Sequence, residues 1–208
     1  MSSQRPPSPL GDLISDPVVV DDGTLARSAS PVPGPIGLDT KGGTHAKTAG
    51  QSLGAQVVSY ARSHMGQRVG SGECFDLADR ALRAAGARSA ADFGPVTADA
   101  DYRWGSPIAI GNAAPGDIVQ FRDYAFERRT ETSEGWEEER QERPHHSAIV
   151  LSNDGHGVVT VLEQNAPEGS GVHRTQLFFT DRQAQEGGTR VTVTVSGQFW
   201  FYRPEPRS

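Results

Sequence analysis

Cysteine is almost absent: Cys74 is the only one in 208 residues, so the chain can close no internal disulfide and can offer no multi-cysteine metal cage. Basic charge is also short. Twenty Lys and Arg against 26 Asp and Glu give a formal net charge of −6, which removes the positive footprint that nucleic acid or an anionic membrane surface requires. No apolar run approaches the ~20 residues of a membrane-crossing helix. The opening Met1-Ser2-Ser3-Gln4-Arg5-Pro6-Pro7 lacks the apolar core of a secretory signal, which predicts a cytoplasmic protein or one exported by a signal-independent route. His45, His64, His156 and His173 have no cysteine or carboxylate at metal-ligand spacing and HExxH is missing, so neither a metal nor a cofactor is expected.

Apolar residues are also scarce over 1–50, where Pro, Ser, Gly and Asp recur, as in Pro31-Val32-Pro33-Gly34-Pro35. Such a segment buries too little to offset its ordering entropy and is predicted to be a flexible leader. The folded domain is placed at 51–208. Ala55 to Met65 reads as an amphipathic helix, with Val57, Val58, Ala61 and Met65 on its apolar side. A second helix begins at Cys74, carries Leu77, Ala78, Ala81, Leu82 and Ala85 at steps of three and four, and stops at Gly86. Strand patterns dominate the rest. Two helices followed by strands without alternation predict an α+β domain, the helices packed on an antiparallel sheet of about five or six strands.

Cys74 is the most informative residue present. A lone thiol is often a small core hydrophobe, but a helix N-terminus favours the thiolate, the nucleophilic form. Two further elements supply partners. Pro144-His145-His146-Ser147-Ala148-Ile149-Val150-Leu151 sets a histidine at the head of an apolar strand, with His145 directed to the opposite face. Val158-Val159-Thr160-Val161-Leu162-Glu163-Gln164-Asn165 ends in a carboxylate and an amide two residues apart, which an uninterrupted strand would place on one face. Together they offer a nucleophile, a base and a group to orient the base. A zinc site built on Cys74 and His146 is the other arrangement these residues permit, but it would lack further soft ligands.

At these residues the chain resembles the papain-like amidohydrolases of the CHAP type (cysteine, histidine-dependent amidohydrolase/peptidase) and their NlpC-type relatives. The matching features are Gly72-Glu73-Cys74 opening a helix, Pro115-Gly116-Asp117-Ile118-Val119-Gln120-Phe121 as a strand, and His146-Ser147-Ala148-Ile149-Val150 as the next. Glu163-Gln164-Asn165 ends a third, and Phe199-Trp200-Phe201-Tyr202-Arg203-Pro204 closes the set. Cysteine before histidine is the order of the hydrolytic members; acyltransferases resembling lecithin retinol acyltransferase place histidine first. The resemblance implies a papain-like fold and a cysteine amidase or endopeptidase that cleaves amide bonds, in peptidoglycan above all, through a thioacyl intermediate. It implies Cys74 as nucleophile, His146 as base, Glu163 as first choice to orient the ring, Asn165 as an alternative or a substrate contact, and Gln67 as an oxyanion donor beside the Cys74 N–H. The contrasting readings are a non-catalytic binding module on the same fold and an intracellular amidase with a non-wall substrate.

Two departures from the family pattern bear on the site. Glu73 adds a negative charge next to the thiol and opposes thiolate formation. Between Phe121 and His145 lies a long charged insert, residues 122–144, with Gly135-Trp136 near its middle; it reads as a hairpin tongue in water that offers a surface to a protein partner. Tyr102 and Trp104, in the loop after the second helix, are candidates for walling a substrate groove.

Overall fold

A computed structural model describes residues 52–208; the leader assigned to 1–50 lies outside the described residues. Helix α1 spans Leu53–Ser63 and starts earlier than its apolar pattern suggested, because the Ser52 side chain accepts the Ala55 N–H at 3.2 Å and caps the first turn. It buries Val57, Val58 and Ala61. Helix α2 spans Cys74–Ala84 and buries Leu77, Ala78, Ala81 and Leu82, each worth up to roughly 1.5–3 kcal/mol for the larger side chains. Gly86, at φ 73°, ends it as the pattern predicted. In its first turn Asp76 accepts the Ser71 N–H and hydroxyl, both at 2.6 Å, which pins the loop that delivers Cys74.

The strands are β1 (Ser106–Ile108), β2 (Ile118–Thr132), β3 (Gly135–Gly155), β4 (Val158–Glu163), β5 (His173–Phe178), β6 (Arg182–Glu186) and β7 (Thr189–Arg203). They form one seven-stranded sheet in the order β1-β7-β2-β3-β4-β5, with β6 added to β7 and every pair antiparallel. The expected five or six strands thus become seven, because short β1 and the β6–β7 hairpin join the sheet.

Both faces of the sheet are covered. On one, Val57, Leu77, Ala81 and Leu82 of the helices meet Ile118, Ile149 and Leu162. On the other, Phe121, Tyr124, Phe126, Val161, Phe178 and Phe179 form a second core. Here the sheet curls onto itself. Phe126 of β2 and Phe178 of β5 lie 5.0 Å apart edge to face although β3 and β4 separate their strands, and the Tyr124 hydroxyl donates to the Phe178 carbonyl. Curling explains why all six residues of β4 are buried rather than alternate ones.

Strands β2, β3 and β7 bend together at one corner. The β2–β7 register shifts between Arg122 and Ala125, Asp123 stands at φ 51°, and Pro144 on β3 has no N–H to give. Gly197 of β7 stands at φ 83°, and a Cβ there would lie 2.1 Å from the Asp123 carbonyl oxygen, so only glycine fits. Beyond the corner β2 and β3 run in register to Thr132↔Gly135, forming the expected tongue. It is not a free hairpin. Outer β2 also pairs with β7 from Ala125↔Ser196 to Glu131↔Arg190, and β7 with β6, giving a four-stranded extension where two strands alone would be marginal. Arg128–Glu139 at 2.7 Å links β2 to β3, and Trp136 near the tip is 59% exposed.

Candidate active site

Cys74 occupies the first position of α2, half-buried, with its sulfur 4.0 Å from the Ser147 hydroxyl on β3. His146, the neighbour of Ser147 on β3, is buried, and it lies close enough to the thiol for each group to shift the other's titration. Its Nε2 lies 2.9 Å from Oε2 of Glu163, the last residue of β4, which is wholly inaccessible. With Nε2 committed to the carboxylate, Nδ1 is the ring nitrogen left for the sulfur. Burial pushes the Cys74 thiol up, but the His146 hydrogen bond and charge and the Ser147 backbone and hydroxyl together outweigh it, leaving the thiol below its ordinary range. Burial likewise opposes a charged His146, yet hydrogen bonds and charge from Cys74 and Glu163 raise it to about 9. Burial would raise Glu163; His146 and Arg143 hold it down at about 2. The arrangement favours a thiolate–imidazolium pair backed by a carboxylate.

Arg143 was not legible in the sequence. Its Nε donates to Glu163 Oε2 at 2.9 Å and its Nη2 to Oε1 at 2.6 Å, a buried two-pronged ion pair. His173, paired across the sheet with Glu163, brings its Nε2 to 3.8 Å from Oε1. Strict alternation along β3 would put residues 143 and 146 on opposite faces. The corner at Asp123 and Pro144 reverses that: the register partners of Arg143 and His146 are Tyr124 and Phe121, and both of those rings sit in the same core.

The expected pairing of Glu163 and Asn165 on one strand face does not occur. Strand β4 stops at Glu163, and Asn165 adopts the left-handed φ of 63° that asparagine tolerates. Its Nδ2 donates to the Glu73 carboxylate at 3.1 Å and its Oδ1 accepts the Gly169 N–H at 2.7 Å, so Glu163 alone of the two meets His146. Glu73, expected to oppose the thiolate, has its carboxylate engaged by Asn165, and the leading influences on the Cys74 thiol are burial, His146 and Ser147. Between them Gln164, also unforeseen, folds back on the loop ahead of Cys74: its Oε1 accepts the Val69 N–H at 2.8 Å, and its Nε2 donates to the carbonyls of Val69 at 2.9 Å and Glu73 at 2.7 Å.

Compared with family models, residues 43–208 match the AIM3/BBC1 cysteine proteinase-fold domain, a stretch that includes all the described residues. The chain belongs to that family. No curated protein and no solved structure matches it. Membership establishes a papain-like cysteine proteinase fold, in keeping with two helices on an antiparallel sheet.

In this cysteine proteinase-fold domain neither Tyr102 nor Trp104 lines the cleft that holds Cys74, although the Tyr102 ring packs 5.4 Å from His145 on its rim. Trp104 is wholly buried with its Nε1 donating to Gln120 Oε1 at 3.0 Å, and the Tyr102 hydroxyl donates to the Thr97 carbonyl at 2.7 Å; both rings pack on Phe75, at 5.2 and 5.0 Å. Gln67 lies exposed in the turn after α1, where its carbonyl accepts the Val172 N–H at 2.8 Å, and it is not part of the cleft that holds Cys74. That cleft, about 720 Å³, runs between the base of the tongue at Arg140–Pro144 and the loop Asn165–Glu168. His145 sits on its rim with Nε2 2.8 Å from the Ala100 carbonyl. Among the described residues no group of three or more His, Cys, Asp or Glu is placed to hold a metal, and no helix is long and apolar enough to cross a membrane.

Proposed function

We propose that the domain is a cysteine hydrolase that cleaves amide bonds through a thioacyl intermediate, with the peptide stems of peptidoglycan as the substrate suggested by its CHAP- and NlpC-like motif order. One observation carries this reading: Cys74 and His146 line the same cleft, the sulfur beside Ser147 and the His146 ring bonded to the buried Glu163, and this setting favours thiolate and imidazolium together. The thiolate attacks the substrate carbonyl carbon, forming the C–S bond and pushing an electron pair onto oxygen. The Cys74 N–H, at the N-terminus of α2 and without an intrahelical acceptor, faces that developing charge. Collapse breaks the C–N bond while His146 gives its proton to the leaving nitrogen. Water, losing a proton to His146, then adds to the thioacyl carbon, and loss of the thiolate releases the acid.

The test is incubation with purified peptidoglycan and with unfolded protein, followed by mass spectrometry for new amine and carboxyl ends, with Cys74→Ala as control. Products that vanish in the control support the proposal. Cleavage of the unfolded protein alone would move the substrate to ordinary polypeptide. No product from either, and no acyl adduct on Cys74, would make the domain a binding module on a proteinase fold.

A further inference from the structure

We propose that Arg143 is a positioning residue for this chemistry: its guanidinium fixes the Glu163 carboxylate so that Oε2 is aimed at His146 Nε2, and its charge offsets that of Glu163 so that the imidazolium can release its proton to a leaving group. The inference rests on the cysteine hydrolase reading and adds a fourth member to its machinery.

Geometry carries the first half. A wholly buried carboxylate is stable only when its lone pairs are met. On Glu163 each oxygen takes one prong of the guanidinium, Oε2 at 2.9 Å from Nε and Oε1 at 2.6 Å from Nη2, and the fork sets the plane of the carboxylate. Oε2 is then shared with His146 Nε2 at 2.9 Å, whereas His173 stands off Oε1 at 3.8 Å. Without the fork the carboxylate could turn about its side-chain bonds toward His173 and leave the catalytic ring. The guanidinium is itself braced, Nη1 donating to the Glu142 carbonyl at 2.7 Å and Nη2 to Gln141 Oε1 at 3.2 Å, so it arrives already oriented.

Charge carries the second half. The groups that face His146 are Cys74 from α2, Glu163 from β4, Arg143 from β3 beyond the corner and, behind the carboxylate, His173 from β5; the β2 neighbour Phe121 offers only an uncharged ring, 6.0 Å away. In the thiolate–imidazolium state, Cys74 and Glu163 contribute two negative charges while His146 and Arg143 contribute two positive ones. Removing Arg143 leaves one imidazolium between two anions, a ring that holds its proton too tightly to act as a general acid. A stability role alone would make no such demand, since a buried ion pair is commonly replaceable by apolar side chains at no cost.

The experiment compares the full chain with Arg143→Met, Arg143→Lys, Glu163→Gln and the Arg143→Met/Glu163→Gln double variant. Side-chain nitrogen NMR follows the His146 titration, and iodoacetamide alkylation follows the Cys74 thiolate. Arg143→Met should move the His146 transition upward by about one pH unit or more, a tenfold or greater gain in proton affinity, since a nearby positive charge has gone. Arg143→Lys should hold the transition near the wild-type value while slowing alkylation several-fold, because a point charge cannot set the carboxylate plane. In the Glu163→Gln background, adding Arg143→Met should change the alkylation profile far less than it does alone, since Arg143 acts through the carboxylate. Should Arg143→Met fail to fold, Arg143→Lys carries the test, since alkylation there at the wild-type rate would overturn the role of the fork. A His146 transition unmoved in folded Arg143→Met, or an equal effect of the methionine with and without Glu163, overturns the proposal. A wild-type protein without any low-pH thiolate would instead overturn the hydrolase reading beneath it.

Discussion

Replacing Glu163 by glutamine keeps the shape of the side chain and removes its charge, so the response of His146 reads out what the carboxylate does. In the wild-type site the ring is raised to about 9, burial acting against protonation and Cys74 and Glu163 acting for it. A unit charge at hydrogen-bond contact is worth about 4 kcal/mol at an effective dielectric of ~20. Arg143 draws on the same carboxylate, so roughly half of that reaches the ring, a fall of about 1.5 pH units on the scale of ~1.4 kcal/mol per unit. The assay is the side-chain nitrogen titration of His146, assigned by its loss in His146→Gln. Stability should follow. A histidine raised above its ordinary value of ~6.5 contributes stability that is complete below that pH and lost as pH rises through about 9. The lowered Cys74 thiol works in the opposite sense: its contribution is complete above the ordinary thiol pKa of ~8.5 and lost as pH falls through the folded value. Where the folded thiol is ionised and the unfolded thiol is not, its missing proton cancels the extra proton on His146, so wild-type stability to urea should be level over that stretch and fall as pH rises from ~8.5 through about 9. Glu163→Gln should bring that fall to lower pH and, by leaving Arg143 buried without its counter-charge, cost about 3–5 kcal/mol near pH ~6.5, before the fall begins. A His146 transition still within half a unit of the wild-type value would refute the carboxylate's role.

Other expectations test separate links in the structure. His146→Ala should shift the alkylation profile of Cys74 toward that of an ordinary thiol near pH ~8.5, with the circular dichroism spectrum unchanged. Gln164→Ala removes three hydrogen bonds to the loop ahead of Cys74, two of them buried, at 2.7–2.9 Å, and should cost about 2–4 kcal/mol in urea unfolding while raising hydrogen exchange at Val69. Gly197→Ala forces a side chain into a left-handed site 2.1 Å from the Asp123 oxygen, and a loss of about 2–4 kcal/mol is expected. Trp136→Ser, at an exposed position near the tip of the tongue, should leave both stability and Cys74 alkylation unchanged, within about 0.5 kcal/mol for the former.

How much of the site could be read beforehand depends on whether each residue is held by a local pattern. Cys74 begins a helical stripe, His146 heads an apolar strand and Glu163 ends another; each of these patterns lies within one element, and the fold bonds His146 to Glu163 and sets Cys74 in the same cleft as His146. The burial of Tyr102 and Trp104 was not legible, because it depends on Phe75 and Gln120, a contact set that no local periodicity announces. The tongue was visible as a hairpin, but its third strand comes from Thr189–Ser196, where alternating valines mark a strand without naming its partner.

The two misjudged ends of the site share a cause: an irregularity breaks the period of two on which face assignments depend. At Asn165 the signal was present, since asparagine followed closely by proline favours a turn over continued strand, and a strand that stops at Glu163 cannot carry its alternation to Asn165. At Arg143 the break is spread over three strands. Pro144 on β3 hints at it, but only the match with Asp123 on β2 and Gly197 on β7 makes it a corner that turns Arg143 onto the face of His146. An ordinary strand through residues 143–146 would send the guanidinium to the opposite face and leave Glu163 with one histidine as its close partner. The same corner that starts the tongue therefore completes the buried charge balance, and changing the bend should alter Cys74 reactivity even though none of the bend residues touches the sulfur.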